Sequence, residues 1–161
     1  MEYLGIICVL LILKRALSPY YVINLLDENL PFTGIVESTN IIPEAAFGGR
    51  HLVYLPKYVT QDDPLNKTPD RLIREDFIEA LRKVFPDLRN EDILHSQIFR
   101  ENYVQPIHRP RTAAARPSCR SPLPGVYLAN ASLISNSTLN NNAVLEEVQV
   151  AVRMMAAEIR P

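Results

Sequence analysis

Leu123-Pro-Gly-Val-Tyr-Leu-Ala-Asn130, followed by Thr138-Leu-Asn-Asn-Asn-Ala-Val144 and a long helical pattern, orders the rest of this chain. Pro124-Gly125 marks a turn, and the short apolar run after it has strand character up to Asn130. A polar loop then opens a helix. Unpaired N–H groups and the positive end of the helix dipole gather at such a loop, which suits an anionic or electron-rich ligand. The helix runs from about Ala143 to Arg160. Val144, Leu145, Val148, Ala151, Val152, Met155, Ala156 and Ile159 lie around much of its girth, so burial on more than one face is expected.

Upstream of that unit the apolar pattern reads mainly as strand. Tyr3 to Lys14 carries Ile6, Ile7, Val9 and Ile12 and reads as a buried strand. A chain that opens in such a strand reads as truncated. Tyr20 to Leu26 is a second strand, Phe32 to Asn40 a third, and Arg50 to Pro56 a fourth that its proline ends. Asp27 to Pro31 and Gly48-Gly49 supply the turns. Thr68-Pro69-Asp70 is a helix start, with Thr as N-cap and Pro in the first position. Leu72, Ile73, Phe77, Leu81, Val84 and Phe85 form the apolar face of that helix, and Pro86 stops it. Glu75, Glu79, Arg82 and Lys83 are its solvated side. Ile93 to Val104 is a further strand, and the proline-rich run from Gln105 to Pro124 is a long loop of the kind that often lines a site. Strands in series with a segregated helix argue an α+β class.

Several function classes find no support. A net charge of −1 and a pI near 6.3 give no overall attraction to nucleic acid or an anionic membrane. Arginines cluster from Arg109 to Arg120 without an aromatic between them to stack on bases, so a solvated loop is the reading there. His51, His95 and His108 lie far apart, and no metal-ligand spacing occurs. Gly-x-Ser-x-Gly, Gly-x-Gly-x-x-Gly and the P-loop are all absent. Leu4 to Leu13 is too short to span a membrane, which takes about 20 apolar residues. Cys8 reads as a small buried hydrophobe, and Cys119 has no local motif. Two cysteines give no disulfide framework and favour a reducing, cytoplasmic setting. Asn66, Asn130 and Asn136 head Asn-x-Ser/Thr triplets that are read as incidental.

Leu17-Ser-Pro-Tyr-Tyr-Val-Ile-Asn24, Pro31-Phe-Thr-Gly-Ile-Val-Glu-Ser-Thr-Asn40 and Gly48-Gly-Arg-His-Leu-Val-Tyr-Leu-Pro56 follow the first strand in order. The helix after Thr68 and the strand ending Tyr103-Val-Gln-Pro-Ile107 continue the series, which Gly125-Val-Tyr-Leu-Ala-Asn130 and Asn140 to Val144 complete. This ordered set resembles FAD-dependent oxidoreductases of the amine oxidase and protoporphyrinogen oxidase superfamily.

The resemblance implies a C-terminal fragment of such a flavoprotein. The sheet, antiparallel or mixed, with its covering helix would be part of the substrate domain (residues 1–107). Residues 108–122 would be a linker. Residues 123–161 would be the strand–loop–helix of an incomplete FAD-binding domain. It implies FAD as cofactor, held by Ala129, Asn130, Asn141, Asn142, Ala143 and Val144, with negative charge on the flavin pyrimidine stabilised by the helix N-terminus. Asn130 stands where many relatives carry an acidic residue, and Glu146-Glu147 where they carry small or basic ones. Tyr54, Tyr103 and Gln105 are the candidate substrate contacts. No catalytic acid or base is identified. The implied reaction is hydride transfer from an amine-like or other reduced small-molecule substrate, with the chain inactive unless joined to a missing N-terminal FAD-binding partner portion. The alternative is a non-catalytic interaction module derived from a substrate domain.

Overall fold

A computed structural model describes residues 2–107, 118–134 and 140–159. It divides into two compact units, one of Leu4–Val104 and the other of Met1–Tyr3 with Gln105–Pro161.

In the first unit, strict alternation along β1 (Glu2–Leu13) sets the layers. Ile7, Val9, Leu11 and Leu13 are fully buried, while the residues between them are only half-buried. Antiparallel β4 (His51–Val59) matches this in register, with Leu11 opposite Val53 and Val9 opposite Leu55. Short β3 (Gly34–Glu37) and β2 (Val22–Asn24) extend the sheet on one side, and β5 (Ile93–Ile107) on the other, in the order β2-β3-β4-β1-β5. α1 (Asp70–Val84) covers the inner face, burying Ile73, Phe77, Ala80 and Leu81 in the cluster that includes Val9, Leu11, Val53 and Leu55. Phe77 meets Phe32 with ring centroids 5.4 Å apart and tilted by 49°, an arrangement that aromatic quadrupoles favour.

Some expected bounds move, each for a local reason. β4 continues through Pro56 to Val59. The Pro56 carbonyl accepts from the Thr33 amide and hydroxyl, so the missing donor faces the same side. The β3–β4 ladder there consists only of Val36–Tyr54 and Glu37–Val53, and no bond is lost. The third strand stops at Glu37 because Ser38–Asn40 turns into a 3-10 helix. The second shrinks to three residues at the sheet edge. Pro69, not Thr68, is the N-cap of α1; the Thr68 hydroxyl instead donates to the Pro64 carbonyl.

The outer strand β5 is tied down by side chains. The Arg100 guanidinium donates to Asp70 Oδ1 at 2.7 Å and to the carbonyls of Leu65 at 2.8 Å and Thr68 at 2.7 Å. Glu101 Oε1 accepts from the Asn102 and Tyr103 amides, and Gln61 Nε2 donates to the Asn102 carbonyl. On the β1 side the strand passes so close to Gly5 that a Cβ there would lie 2.7 Å from the Glu101 carbonyl oxygen.

In the second unit, α2 (Asn141–Ile159) buries Ala143 and Ala151 on the side where the turn Ala131–Leu133 packs, with Leu133 and Ile134 also buried. Leu145, Val148, Val152 and Met155 are exposed. Burial on more than one face therefore does not hold for the described side chains. The period of the apolar residues marks a stripe, and a period does not say what covers it.

Phe77→Ala should destabilise the first unit by about 3–5 kcal/mol, as core aromatic truncations do, read from the urea midpoint. Gly5→Ala should cost about 1–3 kcal/mol by forcing β1 and β5 apart, with helix content by circular dichroism unchanged.

Candidate functional site

The turn before Asn130 is a hairpin rather than a full strand. Gly125 has φ of 76°, which favours glycine, and the Ser121 amide donates to the Val126 carbonyl. Arg120 and Tyr127 form a single antiparallel bridge. Pro122 to Gly125 make the tip of the hairpin, and away from it the Leu128 amide donates to the Cys119 carbonyl, so the expected strand from Gly125 to Asn130 reduces to this short pairing. The hairpin is anchored at the far end of α2. Tyr127 and Arg120 both reach the Glu158 carboxylate, and the Cys119 thiol donates to the Met154 sulfur at 3.0 Å.

Asn130 caps the next turn. Its side-chain oxygen accepts from the Ser132 amide at 2.9 Å and the Ser132 hydroxyl at 2.6 Å. Ala129 and Asn130 are exposed. Asn140 caps α2 in the same way: its Oδ1 accepts from the Ala143 amide at 2.9 Å, and its carbonyl from the Val144 amide. The side-chain cap satisfies one of the four orphan donors, that of Ala143, while the Val144 amide makes the first intrahelical bond. The N–H groups of Asn141 and Asn142 have no intrahelical acceptor and sit at the positive end of the dipole, on exposed residues. Ala143 is buried and Val144 half-buried. Such a terminus can receive an anion or the electron-rich edge of a ring. The expected cofactor residues all fall in this unit, as does half-buried Gln105.

Tyr54 and Tyr103 belong to the first unit. Tyr54 stands on the sheet face away from α1, in a row whose register runs Val22, Val36, Tyr54, Leu10. Cys8, two residues from Leu10, shares that open face. Burial pushes its thiol up to about 11 against a smaller opposite pull from the Leu55 backbone, so it stays protonated and is a poor nucleophile at neutral pH. Tyr103 is 70% exposed.

Residues 108–117 of the expected linker, including His108, and the Asn136 triplet lie outside the described residues. Among the described residues, no cluster of His, Cys, Asp or Glu gathers to hold a metal, and no helix is long and apolar enough to cross a membrane. One polar feature escaped the sequence reading. Glu37 is 1% exposed and turned inward from β3. The signal lay in its position two residues after Ile35, on the buried side of a strand.

An oxidoreductase from Methanosarcina mazei superimposes with a TM-score of 0.71 at 20% identity, over 95% of this chain and 35% of its own. A protein from Exiguobacterium sp. 255-15, assigned as a protoporphyrinogen oxidase, gives 0.64 at 14% identity over 97% of this chain and 35% of its own. Reduced UDP-galactopyranose mutase gives 0.52 at 16% identity over 96% of this chain and 27% of its own. At these identities the likeness is one of fold. The chain spans about a third of the length of the first two. No curated protein matches it.

The sequence pattern described as flavin containing amine oxidoreductase matches residues 1–155, taking in the sheet, α1 and most of α2. That extent overturns the expectation of a C-terminal fragment ending in an incomplete FAD-binding domain. The expectation of a chain inactive for want of an N-terminal FAD-binding partner portion falls with it. They leaned on a chain that opens in a buried strand and on the absence of Gly-x-Gly-x-x-Gly, and neither measures how much of a family pattern a chain carries. With an α+β sheet-plus-helix fold and this match over nearly its whole length, the chain belongs to the flavin-containing amine oxidoreductase family.

Proposed function

We propose that this chain serves flavin-dependent oxidation of a small organic substrate, with FAD as the flavin. Family membership supports the reaction class. The observation that carries the cofactor reading is the N-terminus of α2, where the Asn140 cap occupies the Ala143 amide and leaves the N–H groups of Asn141 and Asn142 available. Two donors beside a positive dipole end fit the pyrimidine edge of a flavin, which gains negative charge on reduction. Ala129 and Asn130 would line the same side. Ala143 and Val144 would contribute shape rather than donors, because their amides are already bonded.

When bound, the flavin supplies the two-electron acceptor. The work of the chain is positioning and exclusion of water. Tyr54, on the open sheet face with Leu10 and Val36, gives an apolar wall with one hydroxyl, and Tyr103 and Gln105 add polar contacts for a substrate. On this reading residues 1–107 form the substrate side, 123–161 the cofactor side, and 108–122 join them.

Asn141→Pro is the discriminating variant, because proline at the first helical position removes one donor while keeping the helix. The wild-type chain should take up added FAD, read by fluorescence quenching, and N141P should bind about tenfold or more weakly, as loss of a charge-assisted hydrogen bond implies. Wild-type chain that takes up no FAD, or N141P that binds it equally well, sinks the cofactor assignment. Asn140→Ala should weaken α2 by about 1 kcal/mol through loss of the cap, visible as earlier thermal loss of helix signal.

A further inference from the structure

Arg74, Ile78 and Arg82 follow one another at four-residue spacing along the flank of α1, and with Ile93 at the start of β5 they line an open groove of about 470 Å³. That volume falls within the roughly 300–1,000 Å³ of small-molecule sites. The groove lies within the first unit, on the side of the sheet that α1 covers, whereas Tyr54 stands on the other face. Ile78 and Ile93 are half-buried and packed against the core, so the apolar part of the lining is fixed in place.

Arg74 is the unusual member of this lining. It is half-buried, and its Nε is closed to solvent with no hydrogen-bond partner among the described residues. The arginines around it are all engaged: Arg71 with Glu75, Arg82 with Asn90, Arg89 with Glu91 and Arg100 with Asp70. A buried N–H without an acceptor is costly. A guanidinium spreads one charge over three nitrogens, so a carboxylate seated against its outer N–H groups compensates the whole cation. The acids of the lining do not fill that role. Glu75 accepts from Arg71 at 2.8 Å, and exposed Glu79 makes no ion pair among the described residues. Arg82 is eight residues further on, about 12 Å along the axis, too far to share one carboxylate with Arg74.

We propose that this groove binds a small organic carboxylate, with the carboxylate on the Arg74 guanidinium and an apolar body between Ile78 and Ile93. The planar fork of the guanidinium matches two carboxylate oxygens at once, and the partial burial of Arg74 strengthens that pair relative to one in open water. The isoleucines add contact area that a bare inorganic anion cannot use. The site is separate from the Tyr54 face and from the N-terminus of α2, and it stands whether or not the chain takes up a flavin.

Titration of the full chain with benzoate, followed by the NMR signals of the Ile78 and Ile93 methyl groups, tests this. Benzoate should shift both signals saturably, with a Kd of about a millimolar or below. Benzyl alcohol lacks the charge and inorganic phosphate lacks the apolar body, so each should bind at least several-fold more weakly. Arg74→Met keeps the stem and removes the guanidinium, and it should raise the Kd for benzoate roughly tenfold or more, as loss of a charge-assisted hydrogen bond implies. The thermal midpoint of ligand-free R74M should equal or exceed that of the wild type, because an unbonded buried N–H has gone. The absence of saturable shifts overturns the site, as does either control probe binding as tightly as benzoate. An R74M midpoint that falls while benzoate affinity is unchanged assigns Arg74 to the fold and overturns it too. If R74M does not fold, the comparison of the three probes on the wild-type chain decides alone.

Discussion

The antiparallel ladder between β1 and β4 is the constraint on which the first unit rests. It fixes nine consecutive residue pairs, from Gly5–Val59 to Leu13–His51. Because successive side chains point to opposite faces, that register decides at once what is core and what is open surface. Leu11–Val53 and Val9–Leu55 go under α1, while Leu10–Tyr54 and Cys8–Pro56 go to the other face. A slip of one residue would exchange the two sets. It would also turn the Cys8 thiol and the Tyr54 hydroxyl into the core, where neither has a built partner. The half-buried second face that carries Tyr54 and the packing that stabilises the fold thus follow from one alignment.

Much of this was legible in the amino-acid order. β1 announced itself by β-branched residues in an apolar run, and α1 by the recurrence of Ile73, Phe77 and Leu81 with Pro86 behind them. The misreadings have a shared origin in residues whose meaning depends on a neighbouring chain segment. Pro56 breaks a strand only where its missing donor would have met an acceptor, and the Thr33 carbonyl opposite it is already taken by the Leu25 amide. Thr68 looked like a cap, yet the Pro64 carbonyl competes for its hydroxyl. The segment before Asn130 looked like a strand, yet it folds back at Pro122–Gly125 and keeps one bridge instead of a ladder.

The candidate site was legible in outline and not in detail. The run of asparagines signalled a helix start, and Asn140 fills that role. Which amides remain open after capping depends on a side-chain rotamer, and sequence does not carry that. Glu37 went unnoticed because a carboxylate in a strand ordinarily faces water. Its burial depends on backbone donors from a segment twenty residues earlier. The extent of the family match likewise lay beyond motif reading, since an absent glycine motif describes one short loop and nothing more.

The outer strand β5 carries a further meaning. An edge strand is a template on which a foreign strand can grow, and long edges invite aggregation. At Asn102 and Tyr103 backbone groups are taken by the chain's own side chains, with Glu101 accepting from both amides and Gln61 donating to the Asn102 carbonyl. Arg100 stands beside them with its guanidinium committed to the start of α1. A chain adding here would have to bury two opposite charges, those of Arg100 and Glu101. The middle of β5 is therefore self-guarded against intermolecular sheet growth, by residues that contribute little to the core.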